Sequence, residues 1–174
     1  MENIKFLTNE TGVFGVDDEG TLRYFEAEKA RDEHILKRLI IPEGVVTIPD
    51  DSFRYYVVLW ELKFPDSLKV LGTNDGCAFA NCHLPDVILP KGLEKLGMFS
   101  FGSSVMRSLS IPKELRSTYL RQFKGAEMET LYLPRELEGK QGVSYMDLDD
   151  ETGRGFLHSL SCGDIHAKRI VFGD

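Results

Sequence analysis

Apolar residues recur along this chain in short alternating triplets that each end on proline. They read Leu39-Ile40-Ile41-Pro42, Leu62-Lys63-Phe64-Pro65, Val87-Ile88-Leu89-Pro90, Leu109-Ser110-Ile111-Pro112 and Leu131-Tyr132-Leu133-Pro134. The prolines stand 23, 25, 22 and 22 residues apart, and five of the chain's seven prolines lie on this lattice. The outer members of each triplet are always apolar, and the middle one varies freely: Ile40, Lys63, Ile88, Ser110, Tyr132. Apolar-variable-apolar is the period of a strand with one buried face. The proline ends the strand, because it has no N–H to give a ladder.

Counting forward from each lattice proline extends the pattern. Three residues on stand Val45, Leu68, Leu93, Leu115 and Leu137, and six on stand Ile48, Leu71 and Leu96, but then Thr118 and Lys140. Eleven on stand Phe53, Phe101, Phe123 and Tyr145. Phe79 joins them if Thr73-Asn74-Asp75-Gly76 holds a three-residue insertion, which its turn-forming residues permit. Small residues precede most of these rings (Ser52, Ala78, Ser100, Ser144), and Leu59, Leu84, Met106 and Met128 close each coil before the next strand. A fixed period of this length predicts a solenoid, in which no single unit can bury its own apolar face. Equivalent residues then lie on neighbouring strands roughly 4.8 Å apart and form continuous ladders. Parallel strands are expected on one side, and short helices or 3₁₀ turns on the other.

These residues resemble the BspA-like class of leucine-rich repeats. The resemblance rests on Leu39-Ile40-Ile41-Pro42-Glu43-Gly44-Val45-Val46-Thr47-Ile48 and on Ala78-Phe79-Ala80-Asn81-Cys82-His83-Leu84, and covers about residues 36–137. The fourth and fifth copies depart from it, with Tyr119 and Gln141 where Gly72 and Gly97 stand earlier. The resemblance implies a right-handed solenoid used for binding, in a family many of whose members resemble bacterial surface adhesins. It also implies an inward position for Cys82. A repeat of this kind is a scaffold and names no ligand.

The ends do not follow the repeat. Val13-Phe14-Gly15-Val16 and Leu22-Arg23-Tyr24-Phe25 flank a short polar turn, which predicts a β-hairpin. The charged segment 26–37 is expected to be helical, with Ile35 and Leu36 turned inward. Residues 1–36 thus form a cap for the open end of the first coil, residues 37–137 the five coils, and residues 138–174 the closing segment of the same domain. Within that segment, 138–155 is glycine-rich and acidic and predicts a surface excursion, and Ile170-Val171-Phe172 predicts a capping strand.

Composition narrows the function. At 174 residues and 42% apolar content, the chain suits one domain with a sizeable core. A net charge of −7 argues against a nucleic-acid partner, which calls for a basic patch. There is no 18-residue apolar run to insert in a membrane. Residues 1–20 show no signal peptide, so a cytoplasmic location is expected if Met1 is the native start, and a cell-surface one if the chain was trimmed. Cys77, Cys82 and Cys162 are odd in number and irregularly spaced, unlike a disulfide framework.

Several constellations have the residue types of a site. Asp147-Leu148-Asp149-Asp150-Glu151-Thr152-Gly153 is reminiscent of a calcium loop, but Thr152 and His158 occupy the positions that need glycine and glutamate. His158, Cys162 and His166 lack a nearby fourth ligand for zinc, Cys77 being distant, and lack an orienting third group for a cysteine nucleophile. No metal, cofactor or catalytic residue is assigned. Trp60, beside Arg54, Tyr55 and Tyr56, has the composition of an interaction hot spot, or else roofs the first coil.

The expected site is the strand face: the row Ile40, Lys63, Ile88, Ser110 and Tyr132. Beside it run Glu43 and Asp66, then Lys91, Lys113 and Arg135, with Trp60 as a further candidate. The reading is a non-enzymatic module that binds a protein or peptide. The alternatives are a self-associating or adhesive element, and an enzyme using Cys162 with His158 or His166.

Overall fold

The structure is a computed structural model that describes residues 3–28, 34–73, 76–115, 123–135, 144–149, 154–158 and 165–173, of which 144–149 and 154–158 are described for the backbone alone. Thr118, Tyr119, Leu137, Lys140 and Gln141 lie outside the described residues, as does the side chain of Tyr145.

The chain opens with β1 (Lys5–Asn9), β2 (Gly12–Val16) and β3 (Leu22–Ala27), an antiparallel sheet in the order β1-β2-β3. Long and short strands then alternate: β4 (Ile35–Ile40), β5 (Thr47–Ile48), β6 (Val57–Lys63), β7 (Val70–Leu71), β8 (His83–Ile88), β9 (Lys95–Leu96), β10 (Val105–Ser110) and β11 (Glu127–Pro134). The long strands pair in parallel, each with the next, and the short ones form a second parallel sheet, β5-β7-β9. The result is a β-solenoid of four turns from β4 to β11. The end is made by β12 (Ser144–Asp149), β13 (Arg154–His158) and β14 (Ile165–Gly173).

Every inward column is buried among the described residues, apart from Leu59. The residues three before and one before the lattice prolines are at most 7% exposed, from Leu39 to Leu133. The aromatic column is the spine of the solenoid: Phe53, Phe79, Phe101 and Phe123 are all fully buried. Their rings stack with centroids 4.9, 5.7 and 5.6 Å apart and planes inclined by 21°, 14° and 11°. Phe25 meets Phe53 edge-on at 5.2 Å and Phe14 at 4.8 Å, which carries the stack into the N-terminal hairpin. Phe79 therefore stands in its column, and the three extra residues lie between Leu71 and Phe79. Asp50 anchors that insertion by accepting from the Thr73 amide at 2.6 Å and its hydroxyl at 3.0 Å.

The side opposite the long strands is made, among the described residues, of the tight turns expected as one of its two forms, closed by bonds such as Tyr56 N–H to Phe53 O and Ala126 N–H to Phe123 O. At one equivalent position in each coil the backbone swings into the left-handed region, at Tyr55, Asn81, Ser103 and Gly125, with φ of 68°, 56°, 53° and 71°, and Asp51 and Phe99 do so as well, four residues before Tyr55 and Ser103. A residue in that conformation stops a helix from propagating. The turns are also bonded coil to coil, through Tyr55 N–H to Ala80 O, Asn81 N–H to Gly102 O and Ser103 N–H to Lys124 O. Glycine is required where two coils nearly touch: a Cβ on Gly97 would stand 2.8 Å from the Gly72 carbonyl carbon.

The register explains the uneven proline spacing. Leu36 pairs with Val58 and Leu39 with Leu62, so three residues on β4 face four on β6, with the register shifting between them. One extra residue is a β-bulge, and it turns Leu59 and Trp60 outward, to 50% and 64% exposure. Val58, and not Leu59, fills the inward column. The bulge accounts for a spacing of 23 where the undisturbed period is 22, and the insertion after Leu71 for the spacing of 25.

Three expectations at the ends are corrected. Segment 26–37 is not one helix: Glu26 and Ala27 belong to β3 and residues 35–37 to β4, because both ends find ladder partners. Ile35 points outward at 47% exposure, since Leu36 and Leu39 take the inward positions. The expected excursion over 138–155 contains β12 and part of β13, an antiparallel pair at the sheet edge, where acidic and glycine residues are tolerated. The strand expected at 170–172 is longer and lies parallel to β11, with Leu131 opposite Ile170, so it adds another rung.

The three-stranded N-terminal sheet docks on both sheets of the solenoid. Gly20 O accepts from Val46 N–H at 2.8 Å and Thr21 bridges Thr47, at the edge of the small sheet. Ile40 O accepts from Asn9 Nδ2 at 2.7 Å and from the Thr11 hydroxyl at 3.2 Å, at the edge of the large one. Phe14, Val16 and Leu22 join the buried cluster of the coils.

Two outcomes follow from this packing. Phe101→Ala empties a fully buried ring site with rings on both sides, and urea unfolding is expected to show a loss of about 3–5 kcal/mol. A loss below about 1 kcal/mol would show that the aromatic column is not the spine. Deleting Leu59 restores the 22-residue period and is expected to leave the melting temperature within about 2–4 °C of wild type. Loss of cooperative melting would mean that the bulge is needed for the fold.

Candidate functional site

The outward face of the long strands has three zones. Its middle is a charge ladder of three ion pairs, each joining two neighbouring strands. Arg38 on β4 meets Glu61 on β6 at 2.6 Å. Arg107 on β10 makes a bidentate pair with Asp86 on β8, its Nε at 2.8 Å from Oδ1 and its Nη2 on Oδ2. Lys168 on β14 stands 3.8 Å from Glu129 on β11. The Arg107 guanidinium holds the Asp86 carboxyl below the usual carboxylate range, and the Ser108 hydroxyl, 2.7 Å away, adds to this.

Toward the start of the strands the face is a broad groove of about 590 Å³, bordered by Val57, Leu59, His83, Val105, Arg107 and His166. Toward their ends lies a smaller groove of about 310 Å³, bordered by Ile88, Ser110, Tyr132, Lys91 and Lys113. Five of the residues singled out in the sequence are thus brought together. Ser110 is the direct partner of Ile88 on one side and of Tyr132 on the other. A small residue between two large ones makes a notch, flanked by Ile88 at 66% exposure and Tyr132 at 39%.

The remaining members of the row sit elsewhere. Lys63 is exposed on the second rung, and Ile40 is half-buried beneath the cap contacts of Asn9 and Thr11. Arg135 is exposed just past the end of β11. Glu43, at the acidic end of the neighbouring row, accepts from the amides of Asp66 at 2.8 Å and Ser67 at 3.1 Å. Those bonds hold its carboxyl below its ordinary range, and its role is to tie the first coil to the second.

Trp60 stands apart from its sequence neighbours. The bulge aims it outward on the strand face, with the Lys37 ammonium 5.5 Å from its ring. Arg54 lies over Tyr55 at 4.8 Å in the turn preceding β6, and Tyr56 packs inward on Phe53. Sequence adjacency therefore does not make one aromatic patch. The reason was legible only as a count, since the extra residue before Pro65 does not reveal where the strand bulges.

Of the other candidates, His166 lies on β14 and shares with Cys77 the border of a depression beside the turns. Cys162 lies outside the described residues, as does the side chain of His158. Among the described residues no three His, Cys, Asp or Glu side chains are placed to hold a metal. In the acidic run, Asp147 and Asp149 fall on β12, and residues 150–153 lie outside the described residues. Among the described residues no helix is long and apolar enough to cross a membrane.

Cys82 occupies the inward position that the resemblance implies, 1% exposed, with its thiol donating to Phe53 O at 3.0 Å. One coil on, the buried Ser104 hydroxyl makes the equivalent bond to Phe79 O at 2.6 Å. Burial pushes the Cys82 thiol up to about 12, which rules it out as a thiolate nucleophile near neutrality.

With the coils, columns and outward rows in place, the class of protein is plain: a parallel β-solenoid built from a leucine-rich repeat. The chain belongs to the family of the BspA type leucine rich repeat region, which matches in six copies over residues 28–145. No curated protein and no solved structure matches it.

The Cys82 thiol gives a signed pH dependence. Its proton is held more tightly in the folded chain than in the unfolded one, so its contribution is complete below pH 9 and is lost as pH rises toward 12. Cys82→Ser, which borrows the chemistry of Ser104, is expected to fold and to lack this loss. Over that range wild type should lose stability relative to the variant, by at most about 1.4 kcal/mol per pH unit. Parallel curves for the two proteins in urea melts would contradict a buried, protonated thiol.

Proposed function

We propose that this protein is a non-enzymatic binding module that recognises a protein or peptide through its strand face. A leucine-rich repeat of this family is a protein-interaction scaffold. One observation carries the choice of face: its outward row varies freely while the columns on either side stay apolar. Ile88 and Tyr132 remain in solvent, around one groove, on a sheet already held rigid by its ladders. Ordering costs on binding are then small. Large apolar residues grouped on a rigid face favour a contact site over an incidental one.

The test is site-specific cross-linking. A photoreactive residue at Ser110 is expected to capture a partner from native-host lysate, and the same group at Lys124, in the turns, is not. Ile88→Ala and Tyr132→Ala should each weaken that partner's binding by roughly tenfold, the size expected of a central contact. Their melting temperatures should stay near wild type. If both variants bind normally, the small groove is not the site.

A self-associating element is the second reading, and the bulge supports it, because Leu59 and Trp60 add exposed apolar surface to the same face. Light scattering over a concentration series distinguishes the two.

A further inference from the structure

The cations of the charge ladder are matched: Arg38 with Glu61, Arg107 with Asp86, Lys168 with Glu129. Lys91 and Lys113 differ, because both are exposed and neither forms an ion pair with a described residue, in a chain whose net charge is −7. They occupy the same position in consecutive coils, roughly 4.8 Å apart along the solenoid. Both border the groove of the Ile88–Ser110–Tyr132 notch, where Glu114 is the one carboxylate among the described lining residues. Two neighbouring ammonium groups repel each other, and a carboxylate between them relieves that repulsion. The notch itself is apolar at its sides and open over Ser110. From Ile88 to Tyr132 is two rungs, roughly 10 Å, which leaves room for one large side chain between them.

We infer that the groove takes an acidic peptide segment in extended form, with one large apolar side chain over Ser110 and flanking carboxylates on Lys91 and Lys113. This rests on the strand-face reading and adds the chemistry of the partner. An extended chain running along the solenoid places alternate side chains roughly 6.8 Å apart. Acidic side chains before and after the apolar one then reach the lysine row. Charge of this kind mainly accelerates the encounter and selects among partners, so the affinity is expected to fall as salt is raised.

Selection of a phage-displayed library of random peptides against the full chain tests both the site and the chemistry. The enriched peptides are expected to carry Asp or Glu on either side of a large apolar residue. Their binding, read by fluorescence anisotropy, should weaken by roughly tenfold or more in the Lys91→Glu, Lys113→Glu double variant. Both lysines are exposed, and an unchanged melting curve confirms that the variant is folded. Enriched peptides without acidic residues that bind the double variant normally, yet are lost in the Ile88→Ala, Tyr132→Ala variant, would overturn the acidic preference and leave the strand face standing. Peptides insensitive to all four substitutions would overturn both. A library that enriches no peptide would overturn the peptide inference alone, because the cross-linking at Ser110 tests the face independently.

Discussion

A single coil of this protein has no interior. Its inward side chains are covered chiefly by the inward residues of the coils before and after, so most of the burial exists between repeats and not within one. The stack of Phe53, Phe79, Phe101 and Phe123 shows the constraint most clearly, since each inner ring has a ring on either face. Stability is then a sum of neighbour contacts, and every column must keep its character from coil to coil. The buried hydroxyl and thiol obey the same rule. Cys82 and Ser104 bond to equivalent carbonyls one coil apart, so neither polar group is stranded in the core.

The ends and the outer face follow from that requirement. A stack of open coils leaves apolar surface at each end, and the N-terminal hairpin meets it with Phe14, Val16, Leu22 and the half-buried Phe25. At the other end the sheet passes from parallel to antiparallel, through β14 to β13 and β12. Between the ends, the outward side chains carry no duty to the core. The charge ladder uses part of that freedom, and the two grooves on either side of it use the rest.

The lattice of prolines and the columns were legible in the sequence because a repeated contact leaves a repeated residue. Even the displaced Phe79 could be placed by counting. What occurs once leaves no such trace. The strand Lys5–Asn9 alternates weakly and has no second copy, and its neighbours Asn9 and Thr11 reveal their contact with Ile40 only in three dimensions. Of the two forms open to the far side of each coil, short helix or 3₁₀ turn, the sequence does not choose, because left-handed residues such as Tyr55 and Asn81 carry no glycine to announce them. The acidic composition near Asp147 outweighed its strand character. For the site, the row through Ile88, Ser110 and Tyr132 was legible as a row. That Glu43 is spent on coil-to-coil bonding, and that Trp60 is lifted by a bulge, required the register.

The direction of the ladder bonds has a mechanical consequence. In the large sheet they run along the solenoid axis, from β4 at one end through β11 toward the C-terminal strands at the other. Tension applied between the two ends therefore loads these bonds lengthwise and one row at a time, as in opening a zip, and not all together in shear. Each row that gives way frees a coil of chain many times longer than the spacing it occupied. The protein is stiff when pressed on its flat face, where a partner would sit, and compliant when drawn out along its length.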